Sequence, residues 1–82
     1  MDNRSDIVAF QMVHNYGFDK ALDMIQTKID FLKADDFLLE ITSQVENPMV
    51  YSSYAHQMYA RYMKHLSFLE DIKQRILDTE NQ

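Results

Sequence analysis

The chain contains no cysteine and no tryptophan, and only one glycine and one proline among 82 residues. Without cysteine no disulfide can staple the fold, and three histidines give a structural zinc site little to work with. A single glycine and a single proline leave scarce turn chemistry, which implies few and long elements. No stretch approaches the ~18 apolar residues of a membrane span. The opening "MDNRSDIV" carries acids where a secretory leader has a basic region. The expectation is a soluble, cytoplasmic protein without membrane association. Hydrophobic content of 46% excludes a disordered chain. A domain this short hides only about 60–65% of its unfolded surface. Extra burial from a second copy of the chain is therefore expected.

Acid is also missing where it would matter. Residues 1–46 carry nine acids against four bases, whereas no acid occurs from Asn47 to Leu69. The formal net charge of -5 repels nucleic-acid phosphates and disfavours binding through bulk electrostatics.

The apolar pattern is helical throughout. "SDIVAFQMVHNYGF" reads as a short first helix over about residues 5–16, capped by Ser5 or Asp2 and ended by Gly17. Asp19 is placed to cap a second helix over about 19–46, whose stripe begins with Leu22, Ile25, Ile29 and Leu32. Beyond "KADDF" the stripe moves to the opposite side, through Ala34, Leu38, Ile41 and Val45. Either one continuous helix meets different partners at its two ends or the helix breaks near Asp35. With no glycine or proline there, the continuous helix is expected. Asn47 followed by Pro48 marks the start of a third helix over about 48–78. The predicted fold is all-α and a single domain over 1–82: a short N-terminal helix, then a long antiparallel helical hairpin assembling into a dimeric bundle.

The most distinctive stretch is "MVYSSYAHQMYARYMKHL", residues 49–66, with four tyrosines, two histidines, an arginine, a lysine and no acid. Tyr51, Ala55, Met58, Tyr62, His65, Leu69, Ile72 and Ile76 recur at alternating spacings of four and three, the seam of a left-handed helical packing. A second stripe of Tyr59, Met63 and Leu66 lies beside it, and the two together are wider than one partner helix covers. The last helix therefore needs a second neighbour: a second copy of the chain, which is the expectation here and makes a homodimer, or the first helix, or a foreign helix in the groove. Tyrosine, methionine and arginine are the residue types enriched at interfaces. Tyr59, Arg61, Met63, Lys64 and Leu66 are accordingly the candidate partner-binding residues, with Arg61 and Lys64 either docking an acidic surface or pairing with acids of the second helix.

Catalytic constellations are absent from the pattern. His14, His56 and His65 have no His or carboxylate at metal-sharing spacing, so neither a metal nor another cofactor is expected. The pairs Asp35-Asp36 and Glu70-Asp71 diverge by about 100° on a helix and cannot flank one bond. Ser52 and Ser53 lie within reach of His56 but lack a third group. One glycine cannot cradle a phosphate. The expected function is non-catalytic protein–protein interaction, as a regulator, adaptor or inhibitor of a larger protein machine. A compact acidic protein of this kind could also occupy a basic surface as a nucleic-acid mimic would, and in size and charge the chain resembles the small acidic effectors of bacteria and their phages. Two alternatives belong to other classes: a nucleic-acid-binding accessory protein using the Tyr/Arg/Lys stretch 51–66, and a small helical-bundle enzyme.

Overall fold

A computed structural model describes residues 4–47, 49 and 52–80. It is all-helical among these residues: α1 (Arg4–Tyr16), α2 (Phe18–Lys33), α3 (Asp36–Glu46) and α4 (Ser53–Glu80). The molecule is elongated, with extents of 49 × 27 × 18 Å.

Three local devices set the boundaries. Gly17 adopts φ 86° and ψ 163°, a conformation open to glycine and closed to residues with a Cβ. Its N–H donates to the Val13 carbonyl at 2.8 Å while its own carbonyl accepts from the Ala21 N–H at 3.0 Å. One residue thus ends α1 and opens α2, leaving Asp19 inside the first turn instead of at the expected cap. Ser5 is not a cap either. It is buried within α1 and its hydroxyl donates to Asp71 of α4. The alternative cap, Asp2, lies outside the described residues.

The second device overturns the continuous second helix. Asp35, in an extended conformation, accepts the Leu38 N–H on its carboxylate at 3.1 Å and starts a new helix. Glycine and proline are unnecessary here because the Asp35 side chain satisfies a first-turn donor itself. The break spends two residues, Ala34 and Asp35, and lets the apolar stripe change sides: Ile25 and Ile29 are buried on α2, Leu38 and Ile41 on α3.

The third device lies five residues beyond Asn47. Asn47 is the C-cap of α3 and its side-chain oxygen accepts the Met49 N–H at 2.9 Å. Ser52 caps α4, its hydroxyl accepting the Ala55 N–H at 3.1 Å and its carbonyl the His56 N–H at 3.1 Å. The last helix therefore begins at Ser53 and not at residue 48; Pro48 itself lies outside the described residues.

Helix α4 is the axis of the molecule. Its second half packs with α1 and α2 around a core of Ala9, Ala21, Ile25, Ile29, Leu69 and Ile72, closed by the fully buried Ile76. Ser5–Asp71 and the Asp6–Arg75 ion pair at 3.0 Å fasten the first turn of α1 to α4. Lys33 reaches Glu70 at 3.6 Å, and Phe37 meets Tyr62 with ring centroids 6.3 Å apart. Along α2 and α3, rising residue numbers thus meet falling numbers on α4. The first half of α4 packs on α3, where Ala55, Leu38 and Ile41 are buried, and α1 makes no contact with α3 among the described residues. One end of the molecule is a three-helix bundle and the other a two-helix layer.

Candidate interaction surfaces

The seam read from the sequence holds at both ends and fails in the middle. Ala55, Leu69, Ile72 and Ile76 are buried and Met58 and Tyr62 half-buried, but His65 is exposed. At this point α4 passes from the cover of α3 to that of α1, which is described from Arg4 onward, and His65 borders the gap beside Arg4 and Phe68. Tyr51 lies outside the described residues.

The five candidate partner residues do not form one surface. At ~100° per residue, Arg61 and Lys64 point about 150° away from Tyr59 and Met63. Tyr59 and Met63 are half-buried on the flank of the two-helix layer, while Leu66 packs against the main core. Arg61 and Lys64 are exposed on the other flank and form no ion pair among the described residues. They do not pair with acids of α2 or α3, the more ordinary of the two expectations for them. They line a cleft of 350 Å³ together with Arg4, His65 and Phe68. Arg4 and Phe68 were missed by sequence reasoning. Arg4 stands at the far end of the chain, and Phe68 reads as one more apolar position.

This arrangement also scatters the aromatic and cationic residues of a stacking platform. Tyr62 leans on Phe37 of α3, Tyr59 sits on the flank away from Arg61, and among the described aromatic residues only Phe68 shares the cationic cleft.

Large apolar side chains are exposed elsewhere. Phe10 (69%) and Ile7 stand out on α1, and Phe31 (75%) on α2; Phe37, Leu39, Met49 and Tyr54 surround the two-helix end. Phe10 stacks on His14 with rings 4° from parallel at 6.2 Å. The hydroxyls near His56 are spent on structure: Ser52 caps α4 and Ser53 accepts from Gln57. Among the described residues no three histidine or carboxylate side chains converge to hold a metal, and no helix is long and apolar enough to cross a membrane. Comparison with protein-family models, with curated proteins and with solved structures found no match.

Proposed function

We propose that this is a non-catalytic protein–protein interaction protein, acting in the cytoplasm as a regulator, adaptor or inhibitor of a larger partner. We place its contact surface on the two-helix end. The observation that carries the reading is the missing third helix over α3 and the first half of α4. There Leu39 (56%) is exposed on α3, and Tyr59 and Met63 on α4 are only half-buried. An antiparallel pair one helix thick covers its two apolar faces poorly, and a second such pair laid across it makes a four-helix bundle. In this reading Leu39 and Thr42 of α3 fall on the same side as Tyr59 and Met63 of α4, so the patch is continuous across both helices. A homodimer through this face would be isologous, each copy covering the other's Met63. Leu66 supports the surface from beneath, and Arg61 and Lys64 belong to a different one.

The test is capture of a protein partner by the wild type and by a Tyr59→Asp, Met63→Asp variant, both checked for helicity. Each aspartate would be desolvated at the contact without a counter-charge, so the variant should lose the partner and the dimer together while remaining folded. Capture that survives the double change removes the contact from this face.

A further inference from the structure

Two bodies of unequal strength share α4. The main core gathers Ala9 of α1, Ala21, Ile25 and Ile29 of α2, and Leu69, Ile72 and Ile76 of α4, with Leu66 and Phe68 packed against it. Among the described residues it takes no member from α3 or from residues 53–65. The Ser5–Asp71 hydrogen bond and the ion pairs Asp6–Arg75 and Lys33–Glu70 join elements of this same body. Helix α3 packs mainly on α4 and only slightly on α2. Leu38 and Ile41 on α3 and Ala55 on α4 are the buried apolar side chains of that end, and Phe37 stays 40% exposed although it meets Tyr62. Stabilisation scales with the apolar area removed from water, so the two-helix end is held less strongly than the three-helix bundle.

The joint at Ala34 and Asp35 lets the weaker body part from the stronger. Helix α2 closes on its own bonds, the Ala34 N–H donating to the Asp30 carbonyl at 3.0 Å and the Asp35 N–H to the Leu32 carbonyl at 3.3 Å. Helix α3 opens on its own cap, the Asp35 carboxylate that accepts the Leu38 N–H. Neither helix relies on a side chain of the other to satisfy its end at this joint. With 11 residues, α3 is shorter than the ~12–15 that an isolated helix needs to persist in water. Once off α4 it therefore unfolds, and the first half of α4 loses its cover in the same step.

We propose that α3 and residues 53–65 form a separate cooperative unit, a lid that opens about Ala34 and Asp35 while α1, α2 and the rest of α4 stay folded. Opening uncovers Leu38 and Ile41 of α3 and Ala55, Met58 and Tyr62 of α4. A molecule that binds these side chains holds the lid open, and a contact across the closed two-helix end holds it shut. The opening itself does not depend on the contact proposed for that end.

The experiment is native-state hydrogen exchange of the whole chain, followed by NMR from zero to sub-denaturing urea. In the wild type the hydrogen-bonded amides of α3 should be at least about tenfold less protected than those of Ile25, Ile29, Ile72 and Ile76. They should share one urea dependence, no more than about half that of the bundle amides, because opening exposes only part of the surface that global unfolding does. Ile76→Val weakens the closed and the open form alike. Bundle protection should fall about two- to tenfold in this variant, and α3 protection should not change. Repeating the measurement at protein concentrations tenfold apart separates the opening from association, which alone depends on concentration. The proposal is overturned if α3 and bundle amides follow a single urea dependence, or if Ile76→Val lowers both by the same factor. It is also overturned if α3 amides exchange without any urea dependence, since they would then open singly and not as a unit. The wild-type comparison uses no variant, so a folding defect cannot obscure it.

Discussion

Replacing Gly17 by alanine isolates the backbone conformation that joins α1 to α2. A Cβ built on Gly17 meets nothing within 4 Å, so no packing penalty accompanies the change. The cost is then torsional alone. At φ 86° and ψ 163° the residue occupies a region nearly exclusive to glycine, where a side chain costs about 1–3 kcal/mol. A domain of this size has a total stability of roughly 4–12 kcal/mol, so the variant should still fold. With a urea dependence near 1 kcal/mol per molar, the unfolding midpoint should fall by about 1–3 M. D-alanine, introduced by chemical ligation, has the mirror-image preference and should leave the midpoint unchanged or raise it, because it also restricts the unfolded chain. An L-alanine variant as stable as the wild type would rule out a torsional cost at Gly17. So would equal losses for L- and D-alanine, which would point to a steric or hydrogen-bonding cause.

Other perturbations probe the remaining joints. Asp35→Ala should cost about 0.5–2 kcal/mol by urea unfolding through the lost cap on Leu38, and Asp35→Asn should recover most of it. Ile76→Ala, at the largest fully buried side chain of the main core, should cost about 2–5 kcal/mol in the same assay. Arg75→Gln should cost no more than about 1 kcal/mol, since both of its carboxylate partners are about half exposed and solvent screens the pairs. Thermal unfolding at low and high salt should show that the Arg75 effect shrinks with ionic strength.

The positions of the helices were legible because their apolar stripes were long and their punctuation sparse. The lone glycine ended the first helix where the pattern ran out, and the buried Ile25, Ile29, Leu69, Ile72 and Ile76 all stood in the stripes read from spacing. The joints were harder for a specific physical reason: several side chains of the same capping type compete at each. Asp35 could end a helix or decorate one, and only the change of side in the apolar stripe distinguished the two. The absence of glycine and proline argued the wrong way there. Asn47 has the chemistry of an N-cap yet closes α3, because Ser52 further on supplies the cap that α4 uses.

The surfaces were less legible than the core. Tyr59, Arg61, Met63, Lys64 and Leu66 are neighbours in sequence, and a helix distributes such neighbours around its whole circumference. Which side of α4 lies open depends on where α1 comes to rest, and that is fixed by Ser5, Asp6, Asp71 and Arg75, residues from opposite ends of the chain. Arg4 joins Arg61 only through that docking. His65 fell on the seam by spacing but sits where the cover changes from α3 to α1, so periodicity alone placed it wrongly.

In the proposed assembly a second copy of the chain covers the two-helix end. Sedimentation equilibrium across micromolar to hundred-micromolar concentrations tests it most directly. A species of twice the 9.8 kDa chain mass is expected for the wild type and a folded 9.8 kDa monomer for Met63→Asp. A wild type that remains at 9.8 kDa throughout that range would contradict it.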